Sequence, residues 1–220
     1  MTAHEYRAWN SRPYARAIYA PQPAPPLSLR DAEGWHFPLD LERWCGRADE
    51  ADRTVLRRCT GRVLDIGCGA GRLVEALTGR GRPVLGIDVC PSAVITTVCR
   101  GGCAMSGSVF DPLPDEGRWG TALLIDGNIG IGGDPRRLLR RVRALVHREG
   151  ILLVEVAAAD VDERRRVRIH AGQRPVSALF PWAMVGATAL NRQAVLEGWT
   201  EAERWSSAGG RHFVALRACR

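Results

Sequence analysis

The sequence predicts an α/β fold: a doubly wound, mostly parallel sheet of seven strands whose last strand runs antiparallel, preceded by a helical and hairpin extension. Two observations predict it. From residue 62 onward, short apolar runs alternate with amphipathic helical stretches, the pattern of strand–helix crossovers. Within the first such unit, Val63-Leu64-Asp65-Ile66 empties into Gly67-Cys68-Gly69-Ala70-Gly71 and then into Leu73, Val74 and Leu77 at helical spacing. Alternating glycines at a strand-to-helix turn let the backbone approach a ligand closely, and the following helix turns free N–H groups toward it.

In chain order, residues 1–20 read as a helical segment carrying Tyr6, Trp9, Tyr14, Ile18 and Tyr19. Residues 21–26, rich in proline, form a stiff extended linker. Leu27–Leu29 and Trp35–Leu39 flank Asp31-Ala32-Glu33-Gly34, a good hairpin turn. Asp40 caps a short helix with Leu41, Trp44 and Cys45, and a second helix spans about 49–59. The sheet then begins: strand 62–66, helix 70–79, strand 83–88, a helix opened by Pro91, and strand 103–109. A fourth strand, 121–125, ends in Asp126-Gly127-Asn128, where open α/β sheets bind ligands. Asp134-Pro135 starts a helix whose inner stripe is Leu138, Leu139, Val142, Leu145 and Val146. Strand 151–156 follows, then a stretch over 158–182 read as irregular, a short insertion with extended segments. A helix near 188–197 and an antiparallel pair, 199–205 and 211–218, close the sheet. The expected division is an extension over 1–49 and one domain over 50–220.

Composition narrows the function classes. With 45% hydrophobic residues the chain has enough apolar surface for a packed core, which argues against disorder. No run approaches the roughly 18–20 apolar residues of a membrane span, and the N-terminus lacks the apolar core of a secretory signal. A cytoplasmic location is expected. The net charge of +7 invites a nucleic-acid partner, but the basic residues are all arginine and are spread along amphipathic helices. Nucleic acid is therefore disfavoured. The seven cysteines show neither a Cys-x-x-Cys pair nor a zinc spacing, so no metal is expected. Cys99 and Cys103 could approach each other as metalloid ligands, but Gly101-Gly102 breaks the helix that would align them.

The ligand is read from spacing and charge. A dinucleotide turn needs Gly-x-Gly-x-x-Gly, whereas this chain has Gly-x-Gly-x-Gly with Asp65 two residues upstream. A carboxylate there repels a pyrophosphate and suits a ligand bearing an ammonium and a sulfonium. The next strand ends in Asp88, 17 residues after Gly71, placed to accept two ribose hydroxyls. At these residues the chain resembles the class I S-adenosylmethionine (SAM)-dependent methyltransferases. Their first motif is similar to VLDIGCGAGRL here, and their second to GIDVCPSAV at residues 86–94.

The resemblance implies a Rossmann-like methyltransferase fold, SAM as cofactor with S-adenosyl-L-homocysteine as product, and a small-molecule acceptor, with oxygen favoured as the methylated atom. It implies cofactor contacts from Asp65, Gly67, Cys68, Gly69, Gly71, Asp88 and Val89. The family usually carries an acid near the adenine in a Gly-Asp-Val pattern; here the pattern is Gly107-Ser108-Val109, which leaves Ser108, Val109, backbone groups or Asp111. Asp126 either bonds the methionine end or acts as a base, and His36 and His170 are the two histidines with a base hypothesis. Asn128 is a candidate substrate contact, and Tyr6, Trp9 and Tyr14 are candidates for a lid over cofactor and acceptor. Two other readings remain open: a SAM-binding regulatory or assembly protein without transferase activity, and an NAD-dependent oxidoreductase.

Overall fold

A computed structural model describes residues 25–219 of the chain. The hairpin predicted first is present: β1 (Leu27–Arg30) pairs antiparallel with β2 (His36–Pro38), Leu29 opposite Phe37. Asp31 closes its turn by accepting from the Glu33 and Trp35 backbone N–H groups. Helix α1 (Leu41–Cys45) is capped by Asp40 and α2 (Glu50–Leu56) by a reciprocal box between Asp49 and Asp52.

The doubly wound part follows as β3 (Val63–Ile66), α3 (Arg72–Thr78), β4 (Val84–Asp88), α4 (Pro91–Cys99), β5 (Ala104–Ser106), β6 (Trp119–Leu124), α5 (Pro135–Leu145) and β7 (Val146–Val156). After an excursion come α6 (Ala187–Leu196) and the pair β11 (Trp199–Ser206) and β12 (His212–Ala218). The seven-stranded sheet has the order β11-β12-β7-β6-β3-β4-β5. β12 is antiparallel to both of its neighbours, and the remaining in-sheet pairings are parallel, as the sequence predicts.

Alternation along the strands divides the core into two layers. Leu64, Ile66, Ala122, Leu124, Leu152 and Val154 face α5 and α6. Val63, Leu123, Leu153 and Phe213 face the other way, onto Val55 and Leu56 of α2 and Leu73 and Leu77 of α3. By the same parity Asp65 shares the Val63 face, under α2 and α3.

Two predicted boundaries move. The third strand stops at Ser106 rather than residue 109, because Gly107 turns the chain by donating to the Asp88 carbonyl and Asp111 N–H bonds the Ser108 carbonyl. The fifth begins at Val146 rather than 151, where Val146 pairs with Trp119 across a register irregularity. The larger correction concerns residues 158–182, whose extended segments are regular paired strands. β8 (Asp162–Ala171), β9 (Arg174–Pro175) and β10 (Phe180–Val185) form a second antiparallel sheet of order β10-β8-β1-β2. The N-terminal hairpin thus completes a sheet begun by the excursion, with Leu29 opposite Ile169 and Ser28 opposite His170. Its inner face, with Leu27, Leu29, Val167, Ile169, Phe180 and Trp182, packs on Cys90 and Ala93 at the start of α4.

Candidate active site

The carboxyl ends of β3, β4 and β6 open into one cavity of about 1070 Å³, measured with its mouth. Its floor is the glycine turn. Gly67 and Gly71 have φ of +74° and +84°, and a Cβ at Gly67 would stand 2.6 Å from Asn128 Nδ2. At Gly71 a Cβ would stand 2.5 Å from Thr97 Oγ1, so both positions need glycine on two counts. The turn is fixed from β4: Gly69 N–H donates to Asp88 at 2.9 Å, and Cys90 N–H donates to the other Asp88 oxygen at 2.8 Å. Burial raises the Asp88 pKa, and the backbone N–H groups of Cys90, Gly69 and Val89 oppose the rise. Each Asp88 oxygen has a further lone pair for a ligand hydroxyl.

Of the predicted cofactor residues, Gly67, Cys68, Gly69, Asp88, Val89, Ser108, Val109 and Asp126 line the cavity. Gly71 shapes the turn from behind and is not on the wall. Asp65 is also behind it, 2% exposed, with Oδ2 lacking any hydrogen-bond partner among the described residues. Burial pushes the Asp65 pKa up to about 7; Arg72 opposes, while Asp126, Asp88 and Asp52 add to the rise. The Ser108 hydroxyl is occupied locally, accepting from Phe110 N–H at 3.1 Å, and Asp111 turns back to the Ser108 N–H at 3.2 Å. The Ser108 hydroxyl keeps an O–H to donate.

Asp126 is a counter-ion to arginines in this arrangement. Its backbone is left-handed, with φ of +60°, a region that aspartate tolerates better than most residues. Its carboxylate is ion-paired to Arg72 at 2.6 Å, Arg43 at 2.8 Å and Arg211 at 3.4 Å. Arg72 and Arg211 hydrogen-bond its oxygens, while Arg43 faces it as an ion pair whose Nη1 makes no hydrogen bond among the described residues. Behind it lies a charge cluster that the sequence reading missed. Arg72, 4% exposed, also bonds Asp52 at 2.8 Å, and Arg211 reaches from the β11–β12 hairpin to Asp52 at 2.9 Å and Glu155 at 2.7 Å. Glu155 in turn accepts the Asp126 N–H at 2.7 Å. Burial works against the Asp52 charge, but Arg72 and Arg211 outweigh it and hold the Asp52 pKa down to about 2. The signal was available in Arg72, a cation in the first turn of a helix, where the helix dipole disfavours it.

Asn128 lines the cavity, but its amide donates to the Ile66 and Gly67 carbonyls at 2.9 and 3.1 Å, so it clamps the glycine turn. Neither histidine reaches the wall. His36 is exposed, and strand alternation puts it on the opposite face of β2 from the wall residue Phe37. His170 alternates with the core residues Val167 and Ile169 on β8, which turns it to the outer face. Tyr6, Trp9 and Tyr14 lie outside the described residues. The rest of the wall is apolar: Phe37, Leu39 and Trp44 from the N-terminal hairpin and α1, Ile131, and Phe180 with Trp182 from β10. The excursion over 158–182 thus supplies wall residues. Among the described residues no group of three His, Cys, Asp or Glu side chains is placed to hold a metal ion, and no helix is long and apolar enough to cross a membrane.

A family model described as a methyltransferase domain matches residues 42–200. The chain belongs to this methyltransferase-domain family. The recognition made from the glycine turn and Asp88, a class I SAM-dependent methyltransferase, stands at that level, and the chain is an enzyme. The solved structures it resembles share the fold at low identity. A SAM-dependent methyltransferase from Bacteroides fragilis, in complex with S-adenosyl-L-homocysteine, is 20% identical, with 98% of this chain and 97% of that one covered at a TM-score of 0.79. An amino pentose methyltransferase from Micromonospora echinaspora, bound to SAM, is 19% identical over 80% of this chain and 94% of its own, with a TM-score of 0.57. A Burkholderia thailandensis 1,6-didemethyltoxoflavin-N1-methyltransferase with bound 1,6-didemethyltoxoflavin and S-adenosylhomocysteine is 20% identical over 76% of this chain and 75% of its own, at 0.55. A search of curated protein sequences gave no match.

Proposed function

We propose that this methyltransferase holds SAM across the Gly67–Gly71 turn and Asp88, and transfers its methyl group to an oxygen atom of a small-molecule acceptor. The observation that carries the donor half is the tie between Gly69 N–H and Asp88 at 2.9 Å, which sets a strand-end carboxylate beside a turn without side chains. That pairing fits a ribose between its two hydroxyls and a chain that must pass close to the backbone. The unpartnered Asp65 Oδ2 behind the turn fits a ligand with positive charge at its amino-acid end. The cofactor supplies, when bound, a methyl group made electrophilic by its sulfonium.

The chain's own part is positioning. Asp88 orients the ribose end, the Gly107–Val109 edge flanks the base, and Asn128 holds the turn in shape. Arg72 and Arg211 keep Asp126 fixed at the cavity floor. In-line displacement gains most from alignment and exclusion of water, and the apolar wall of Phe37, Trp44, Phe180 and Trp182 suits the latter. Small molecules, rather than nucleic acid, match this apolar wall, and the structural relatives include an amino pentose methyltransferase and a 1,6-didemethyltoxoflavin-N1-methyltransferase. We also propose the division into an extension over 1–49 and a domain over 50–220, a lid role for residues 1–20, and a cytoplasmic role in small-molecule biosynthesis.

Calorimetric titration with SAM, S-adenosylhomocysteine and NAD(H) tests the donor. SAM and S-adenosylhomocysteine are expected to compete for one site, with no heat from NAD(H). Saturable NAD(H) binding without SAM binding would refute the reading. Labelled SAM added with a cell extract separates an enzyme from a SAM-binding regulatory protein, because only the enzyme yields a labelled small product.

A further inference from the structure

The acceptor end of the cavity specifies the acceptor more closely than the family does. Four rings from three segments converge on it: Phe37, Trp44, and Phe180 with Trp182. Phe180 and Trp182 stand edge to face, centroids 6.3 Å apart at 89°. Phe37 is backed by Trp35 in a stack at 6.0 Å and 5°, and the Arg165 guanidinium lies over Trp35 at 5.1 Å. These rings are braced as walls, and walls of this kind favour a flat apolar ligand.

Several polar side chains on the wall are already committed, while the Trp44 indole N–H is buried without a hydrogen-bond partner among the described residues. Asn128 donates to two carbonyls, Arg72 is divided between Asp52 and Asp126, and Asp126 is held by three guanidiniums. Asp88 bonds the turn, the Ser108 hydroxyl bonds Phe110 N–H, and burial drives the Cys68 thiol well above its ordinary pKa. Among the described residues that line the cavity, none is placed to take a proton from an acceptor. A sugar or peptide would bring several hydroxyls or amides to walls that, among the described residues, offer few partners. Each polar group buried in that way weakens binding by roughly tenfold or more.

Resting on the donor reading above, we infer that the acceptor is a planar aromatic molecule whose attacking hydroxyl is acidic enough to be ionised near neutral pH. An ordinary phenol, with a pKa of about 10, is ionised to only about one part in a thousand at pH 7. An acidic one arrives as the oxyanion, its charge met by that of the sulfonium. The hydroxyl proton leaves to solvent beforehand. The O–CH3 bond forms as the S–CH3 bond breaks, and the electron pair of the broken bond goes to sulfur, leaving a neutral aryl ether and a neutral thioether.

The test uses the full chain, SAM, and three probes: a nitro-substituted phenol ionised at pH 7, an unsubstituted naphthol, and an amino sugar. Binding is read first without SAM, by quenching of tryptophan fluorescence. The two aromatics are expected to bind and the amino sugar not, and Trp182→Ala should weaken aromatic binding roughly tenfold while SAM binding stays as in the parent. Methyl transfer should then favour the nitrophenol, with a pH–rate inflection that follows each acceptor's own pKa. Methylation of the amino sugar without aromatic binding would overturn the inference. So would one shared inflection for both aromatics, which would reveal a base on the protein. Failure of SAM itself to bind would overturn the donor reading and this inference with it, and calorimetry with SAM alone distinguishes that case.

Discussion

The two ends of the cavity are built in different ways. At the end proposed for the donor the surface is backbone: a glycine turn with left-handed φ at Gly67 and Gly71, tied by the Gly69 N–H to Asp88 at the end of the next strand. At the acceptor end it is made of side chains, the rings of Phe37, Trp44, Phe180 and Trp182, carried on a second sheet and a short helix. A backbone site tolerates few substitutions, because the fold and the ligand both require the same φ values. A side-chain site can change its ligand without changing the sheet that carries it.

The comparison breaks most visibly where the donor end is stiffened. Arg211 reaches Asp52, Asp126 and Glu155 together, so Arg211→Met leaves three carboxylates facing one another with only Arg72 and Arg43 between them. Removing one partner from a buried charge cluster costs about 3–5 kcal/mol. Thermal or urea unfolding should register a loss of that size, and donor affinity should fall with it. A neutral result would mean the cluster is incidental to the site.

The next effect is on the turn. Gly67→Val forces a branched side chain into φ of +74°, against Asn128 Nδ2. SAM affinity should drop roughly a hundredfold, because small displacements of an aligned site have large effects. The acceptor probes should still quench tryptophan fluorescence as in the parent. Loss of both ligands together would show that the two ends are not separable.

A smaller effect sharpens the electrostatic side. Asp65 has its pKa pushed up from 3.8 to about 7 by burial, so the unliganded fold keeps a proton that the unfolded chain has released between those values. Its contribution to stability therefore declines as pH rises through that window. Asp52, held down to about 2, contributes stability above the ordinary carboxylate value that is lost as pH falls toward 2. A cationic donor favours ionised Asp65, so SAM binding must release a proton below pH 7. Calorimetry in two buffers of different ionisation heat should detect that proton at pH 6 and not at pH 8, with affinity a few-fold weaker at pH 6. Asp65→Asn should abolish the difference; its persistence would assign the proton to another group.

The same contrast explains what the sequence discloses. Glycines at fixed spacing and a strand-end acid are demanded by backbone geometry, so the donor end was legible from Val63 to Asp88 and the parallel order followed from it. The second sheet was not. β8 reads Glu163-Arg164-Arg165-Arg166-Val167-Arg168, and charges on both faces hide its alternation. Arg165 faces inward because Asp31 at 2.7 Å and Glu163 at 2.9 Å neutralise it beside Trp35. The rings of the acceptor end are brought together by pairing of β1 with β8, between residues some 140 positions apart, which no local pattern encodes. Asp126 and Asn128 were found at the right edge of the sheet, but their roles as counter-ion and clamp depend on Arg43, Arg72, Arg211 and the Ile66 and Gly67 carbonyls.

The most direct test of two independent ends is a pair of titrations, SAM and the nitrophenol probe, each into the parent, Asp88→Ala and Trp182→Ala. Asp88→Ala removes charge-assisted hydrogen bonds worth roughly 1.5–3 kcal/mol each, so SAM affinity should fall at least tenfold while probe affinity holds. Trp182→Ala should do the reverse. Equal losses of both ligands in either variant, or unchanged SAM affinity in Asp88→Ala, would contradict a cavity with a backbone-built donor end and a ring-built acceptor end.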